Sequence, residues 1–414
     1  MTGHADVGVV GLAVMGAALA RNFASRGLRV AAYNRSAEVT RRLVTAHPEA
    51  GLFASETLEA FVASLAHPRR IVLMVQAGPA VDAVLAQLDG LLEMGDVVVD
   101  GGNSHYVDTE RRIRTYANRH WRFMGMGVSG GEEGALRGPA LMPGGDGAAF
   151  DVMRPVLEPI AAVGPMGPCL THCGTGSAGH FVKMVHNGIE YGDMQLIAET
   201  VLLMRRGLGL SAPQAAEVFA AWNRTELDSY LVEITAEVLA TPDPERPGAF
   251  LVDAVLDQAG QKGTGKWTVL AASELGVAVP TLSAAVDARL LSSQRSLRLE
   301  AAEQFPAPTA APLELRLEDL SEALYAAKIA SYTQGFALLE AASRHYGYGT
   351  DLGEVARGWT AGCIIRARFL EAVREAFRSE PRPALLAFAP SLAVALRSRE
   401  AAWRRVVATA QAAG

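Results

Sequence analysis

The hydrophobic positions fall into two regimes. Up to about residue 178, short apolar runs alternate with helix-like stretches. Val7 to Gly11, Arg29 to Tyr33, Ile71 to Val75 and Val97 to Asp100 read as buried strands, and Ala17 to Ser25 and Pro79 to Leu92 read as helices. Strands that alternate with helices predict a parallel, doubly wound α/β sheet. From Gly179 the pattern becomes almost wholly helical, beginning with Phe181 to Gly207, Ala212 to Trp222 and Leu227 to Leu239. Its loops are marked by Pro242, Pro244, Pro247 and Gly248, then by Pro306, Pro308 and Pro312. The expected organisation is an α/β domain over residues 1–178 and a large all-α domain over residues 179–414.

Composition narrows the function classes. The chain has 414 residues, a formal net charge of −6 and 50% hydrophobic residues, which predicts a soluble globular protein of two or three domains. No Lys/Arg block is present, so neither a nucleic-acid nor a membrane-surface binder is expected. The longest uncharged run, Pro159 to Val182, is broken by glycines and prolines, which argues against a membrane helix. Cys169, Cys173 and Cys363 form neither a disulfide framework nor a zinc ribbon. With an N-terminus that lacks a secretory pattern, they point to a reducing cytoplasm. The cations are lopsided: 34 Arg against four Lys, at Lys183, Lys262, Lys266 and Lys328. Only Lys among them can release its proton or act as a compact point charge.

Two motifs carry chemistry. Gly11-Leu12-Ala13-Val14-Met15-Gly16 follows the first strand and opens the first helix. There Gly11 permits the tight turn, Ala13 leaves room for a pyrophosphate, Gly16 allows close packing, and the helix N-terminus attracts the anion. About 20 residues on, where an NAD binder carries a carboxylate for the ribose 2′-OH, stand Asn34, Arg35 and Ser36. A guanidinium pairs with a 2′-phosphate, so NADP is favoured over NAD. The second motif is a helix with Lys183, His186, Asn187, Glu190 and Tyr191 within an arc of about 140°. A solvated polar face is the plain alternative, but the residue types fit a substrate surface with an amine and a carboxyl for proton transfer. Two loops accompany it. The turn from Val128 to Gly134 offers Ser129 and exposed backbone N–H groups to an anion. Gln261 to Trp267 lacks triphosphate-loop spacing, yet Lys262 and Thr264 suit a single phosphate; a helix-connecting turn is the alternative.

The stretches GLAVMG at Gly11, VVDGGNS ending at Ser104, GVSGGEEGALRGPALMPGG from Gly127, GHFVKMVHNGIEYGDMQLI from Gly179 and GQKGTGKW from Gly260 resemble 6-phosphogluconate dehydrogenases. The likeness continues through LYAAKIASYTQGFALL and GCIIRARFL and covers nearly the whole chain. It implies a Rossmann-like domain, a helical domain and a homodimer. The implied reaction is NADP-dependent oxidative decarboxylation of 6-phosphogluconate to ribulose 5-phosphate and CO2, in the pentose phosphate pathway, without a metal. By the resemblance, Lys183 is the base and then the acid at C3, and Glu190 protonates C1 of the enediol. Asn103, Ser129, Gly130, Gly131, His186 and Asn187 would surround the sugar acid, and Tyr191, Lys262, Thr264 and Arg289 its phosphate. Met15, Asn34, Arg35, Ser36, Val75 and Asn103 would meet the cofactor, beside Gly11, Ala13 and Gly16.

Two departures qualify the likeness. Val75-Gln76-Ala77-Gly78 replaces the family's V-K-A-G, which is expected to weaken cofactor affinity. The sequence stops at Gly414, where the family typically continues into a tail that supplies an Arg and a His to the partner's substrate phosphate. Losing such groups is expected to cost about 1.5–3 kcal/mol per charge-assisted hydrogen bond. The remaining alternatives are a catalytically impaired NADP-binding homologue and a β-hydroxyacid dehydrogenase acting on a different sugar acid.

Overall fold

Val7–Val10 is buried at every position, as a strand covered on both faces must be. In the computed structural model, which describes residues 4–48, 51–260, 263–305 and 313–413, it is the first of seven strands in one sheet. These are β1 (Val7–Val10), β2 (Val30–Tyr33), β3 (Leu52–Ala54), β4 (Arg70–Leu73), β5 (Val97–Asp100), β6 (Arg122–Ser129) and β7 (Ala140–Gly144). The order is β3-β2-β1-β4-β5-β6-β7. The pairings from β3 to β6 are parallel, and only β6–β7 is antiparallel.

Helices alternate with these strands: α1 (Val14–Ser25), α2 (Ala37–Ala46), α3 (Leu58–Ala63), α4 (Pro79–Leu88), α5 (Tyr106–Tyr116), α6 (Gly131–Arg137) and α7 (Gly147–Leu157). Alternate side chains of β1 feed two apolar layers. Val7 and Val9 join Leu19, Phe23 and Met153 on one face, while Val10 joins Phe61, Ile71 and Trp121 on the other. A short hairpin, β8 (Val163–Gly164) with β9 (Gly167–Pro168), precedes α8 (Ala178–Leu202). A π-helical turn, Leu203–Gly207, follows α8 directly.

The remaining helices are α9 (Ala212–Trp222), α10 (Tyr230–Ala240), α11 (Thr264–Glu274), α12 (Pro280–Ser293), α13 (Arg295–Gln304), α14 (Leu317–Tyr346), α15 (Leu352–Gly358), α16 (Phe369–Arg378) and α17 (Pro390–Ala413). Among the described residues no helix is long and apolar enough to cross a membrane. Packing divides the chain into two compact units, residues 1–184 with 339–364 and residues 185–338 with 365–414. The chain path through α8 and α14 passes from one unit into the other.

Several elements differ from the sequence expectation. The first helix starts at Val14 rather than Ala17, because Ala13 already stands at its N-cap. The fourth strand ends at Leu73 and α4 at Leu88, each shorter than the apolar run that signalled it. The tenth helix begins at Tyr230, not Leu227, because the Ser229 hydroxyl accepts a hydrogen bond from Val232 N and caps it. The strands β3, β6 and β7 gave no strand signal of their own, and the expected turn from Val128 to Gly134 is instead the end of β6 and the start of α6. Pro306, Pro308 and Pro312 lie outside the described residues.

In the second unit the first turn of α14 is held by charge. Asp319, 4% exposed, accepts from Arg316 Nη2 at 3.1 Å and from Arg405 of α17 at 2.5 Å. Those guanidinium groups hold its carboxyl at about 2. The folded value lies below the unfolded one, so the stabilisation is complete above roughly pH 4 and is lost as pH falls toward about 2. Asp319→Asn is expected to lower stability near neutrality by about 1–2 kcal/mol. In thermal melts across pH, its gap to the parent should close on acidification, and a pH-independent gap would refute the assignment.

Candidate active site

Three local clusters hold most of the candidate residues, the first at the crevice where strand order reverses between β1 and β4. Gly11 has φ +92°, and a Cβ there would lie 2.7 Å from the Met74 carbonyl oxygen, so only glycine makes this turn. A Cβ on Gly16 would overlap the Gly11 carbonyl, which gives the motif's last glycine a packing role. Asn34 Oδ1 accepts from Leu12 N at 3.1 Å and ties the end of β2 to the glycine turn. A cavity of 370 Å³ opens here, lined by Gly11, Ala13, Asn34, Arg35, Ser36 and Val75. Sequence reasoning missed much of the rest of its lining: Val10, Tyr33, Leu58, Met74, Ala80, Val84 and Gln87. Gln76 also lines it, and Arg35, itself exposed, is the one charged side chain among these lining residues. Met15, Gly16 and Asn103 are not part of the lining. The cavity fits a dinucleotide bearing a 2′-phosphate: a glycine turn at a helix N-terminus, an apolar wall and one cation beside Asn34 and Ser36.

The second cluster is the start of α8, whose backbone rests on glycines of β6 and β7. A Cβ on Gly144 would overlap Gly179 N, one on Gly127 would overlap Lys183 Cβ, and one on Gly179 would lie 2.5 Å from the carbonyls of Gly125 and Met142. Lys183 is only 7% exposed in consequence. The strand that carries Gly127 ends at Ser129, which is 2% exposed and leads into Gly130 (φ +120°) and Gly131 (φ +64°). A Cβ on Gly130 would meet the Gly362 carbonyl at 2.6 Å.

The third cluster lies in the second unit. His186 Nδ1 stands 3.1 Å from Asn187 Oδ1 and 3.7 Å from a Glu190 carboxylate oxygen. Asn187 Nδ2 donates to Thr264 Oγ1 at 3.1 Å, so the amide is held from two sides. Thr264 opens α11, and a Cβ on Gly265 would lie 2.7 Å from the Tyr191 ring. The Arg289 guanidinium carbon lies 4.3 Å from the centre of that ring, with Nη1 donating to the Gly260 carbonyl at 3.0 Å. Lys262 lies outside the described residues. Of the other lysines, Lys266 is exposed, and Lys328 is buried with Nζ 2.5 Å from Asp193 Oδ2. Burial pushes the Asp193 carboxyl above its usual range, against the pull of Lys328. A wider groove of 670 Å³ along α17, around Leu396, Trp403 and Val407, contains none of the candidate residues.

A glycine turn between strand and helix at the switch point of a doubly wound sheet, with a cation at the end of the second strand, defines a dinucleotide-binding α/β protein. Residues 6–174 match the NAD binding domain of 6-phosphogluconate dehydrogenase, and residues 179–414 match the 6-phosphogluconate dehydrogenase C-terminal domain. The decarboxylating 6-phosphogluconate dehydrogenase of Synechococcus elongatus is 50% identical over 98% of this chain and 88% of its own length. The NADP(+)-dependent, decarboxylating enzyme of Bacillus subtilis is 46% identical over 99% of this chain and 88% of its own. A solved Plasmodium falciparum 6-phosphogluconate dehydrogenase, described as apo, with NADP+ and with 6-phosphogluconate, superposes with a TM-score of 0.95 at 40% identity, covering 99% of this chain and 89% of that one. The chain belongs to the 6-phosphogluconate dehydrogenase family.

The glycine floor is open to a direct check. Gly127→Ala places a methyl against Lys183 and should lower stability by about 1–3 kcal/mol. Gly147→Ala, at the first position of α7 with nothing within 4 Å, should change it by less than about 1 kcal/mol. Urea unfolding of both variants reads the difference; equal midpoints would mean that α8 does not need the glycine.

Proposed function

We propose that this chain oxidises and decarboxylates 6-phosphogluconate to ribulose 5-phosphate and CO2 with NADP, and that Lys183 and Glu190 carry the proton transfers. The observation that carries this reading is α8 itself, one unbroken helix on which the two groups stand seven residues apart, about 10.5 Å in rise and near the same azimuth. Bound NADP supplies the hydride acceptor, held by Asn34, Arg35 and Ser36 at its 2′-phosphate and by the Gly11 to Gly16 turn at its pyrophosphate. Lys183 takes the proton of the C3 hydroxyl as C3 is oxidised. Its ammonium then returns a proton to the new carbonyl oxygen while the C1–C2 bond breaks and CO2 leaves. The carbonyl is the electron sink for that bond. Glu190 protonates C1 of the resulting enediol, and Lys183 takes back the enol proton to leave the ketone.

Asn103, Ser129, Gly130, Gly131, His186 and Asn187 are assigned to the sugar acid, and Tyr191, Thr264, Arg289 and Lys262 to its phosphate. The fixed Asn187 amide and the Arg289 guanidinium over Tyr191 suit those roles. The purified chain with NADP and 6-phosphogluconate should give NADPH absorbance at 340 nm and equimolar CO2, and Lys183→Ala should abolish both. No product above that control would leave a nucleotide-binding role alone. NADPH from unphosphorylated sugar acids at equal efficiency would move the substrate assignment to another β-hydroxyacid.

We assign the chain to the cytoplasm, where its three buried, unbridged cysteines suit a reducing medium. A homodimer is the proposed assembly, supported by the exposed Leu290 and Leu291 of α12 and Leu297 and Leu299 of α13. Sedimentation equilibrium should give about twice the chain mass of 43.7 kDa, and a monomer mass would refute the dimer.

A further inference from the structure

The carboxylate that ends β5 closes a wholly apolar run. Asp100 is fully buried, and a buried charge needs a partner. Its Oδ1 accepts from Gly102 N at 3.0 Å and its Oδ2 from Ser104 Oγ at 2.6 Å, so it folds the loop that carries Asn103. The opposite charge comes from Arg112 on α5, itself fully buried, with Nη1 3.6 Å from Asp100 Oδ2. The rest of that guanidinium is spent elsewhere. Nε and Nη2 donate to the two oxygens of Asp82 at 2.8 and 3.1 Å, and Nη2 also donates to the Gly78 carbonyl at 2.8 Å. Gly78 is the N-cap of α4 and Asp82 lies in its first turn. Val75 and Gln76 just before that cap, and Ala80, Val84 and Gln87 after it, form one wall of the nucleotide cavity. One turn back along α5, Thr109 Oγ1 meets His180 Nδ1 at 2.6 Å, which joins the first turn of α8 to the same helix face.

We propose that Arg112 is a positioning residue for the cofactor: its single buried fork ties the α4 wall of the cavity to the Asp100–Ser104 loop, so both are placed before the nucleotide arrives. The inference rests on the NADP reading above. Arginine is required because a lysine ammonium has no planar fork to span Asp82, Gly78 and Asp100 together. Arg111, from the solvent side, also reaches Asp82 at 3.0 Å but makes no contact with the Asp100 loop among those described, and it serves as a control.

The test is calorimetric titration of NADP into folded protein, with steady-state kinetics and melting temperatures alongside. Arg112→Lys should raise the NADP Kd about tenfold or more, and Asp82→Asn, which keeps the shape and weakens the fork, about threefold. Arg111→Gln should leave Kd within a factor of two. The KM for NADP should rise in step with Kd, while the KM for the sugar acid moves less. If Arg112→Lys does not fold, Asp82→Asn decides alone. Variants that melt lower but bind NADP as the parent does would overturn the inference and leave Arg112 a stability residue. A parent protein that takes up no NADP would sink the cofactor reading and this inference with it, and the parent titration separates the two failures.

Discussion

The approach of the α8 backbone to the sheet is the constraint on which the placement of Lys183 depends. A helix normally stands about 10 Å from its neighbours because side chains intervene. At the start of α8, Gly125, Gly127 and Gly144 on the strands and Gly179 on the helix remove them, and backbone lies against backbone. Lys183 is thereby fixed at its Cβ and not only at its flexible end. A long amine stem gains direction from a buried root, since fewer rotamers remain to be lost when a substrate binds. Gly127 and Gly144 are accounted for by this contact and Gly125 by the His180 and Thr109 side chains, whereas Gly145 takes a φ of +130° that favours glycine.

Much of the fold was legible because its signals are local. The apolar runs of β1, β2, β4 and β5 are each buried on both faces, and such strands announce themselves without alternation. The order of the strands and the antiparallel β7 are tertiary facts, and no period within ALMPG carries them. The nucleotide residues Gly11, Ala13, Asn34, Arg35 and Ser36 come together in one cavity because strand ends and helix starts are adjacent in this topology. On the opposite wall only Val75 and Gln76 were marked, by the family's V-K-A-G segment; Met74, Ala80, Val84 and Gln87 are ordinary apolar and amide side chains whose role comes from position. GTGK shows the reverse case. Its spacing is not that of a triphosphate loop, and Gly265 is explained by the flat Tyr191 ring packed on it, while Thr264 holds Asn187.

Buried charge was the least visible layer. Asp100 at the end of VVVD was a signal available in the sequence, since a carboxylate there demands a cation, but nothing along the chain named Arg112 as that partner. Lys328 is similar. In a chain that mostly uses arginine, this buried cation is a lysine, a compact ammonium that meets one oxygen of Asp193 beside the Tyr332 hydroxyl. The two buried pairs thus differ in geometry: the Arg112 fork donates to Asp82 and Gly78 while its Nη1 faces Asp100 at 3.6 Å, and the Lys328 ammonium meets one carboxylate.

Arg35 sits differently from all of these groups. It is exposed at the rim of a cavity whose other lining side chains are uncharged, and no buried partner depends on it. On the proposed reading, the choice between the phosphorylated and unphosphorylated nucleotide would rest on an exposed position, apart from the packing that places Lys183. Exchanging Arg35 would then leave the fold undisturbed, whereas beneath Lys183 even one added methyl group, at Gly127, would overlap the lysine.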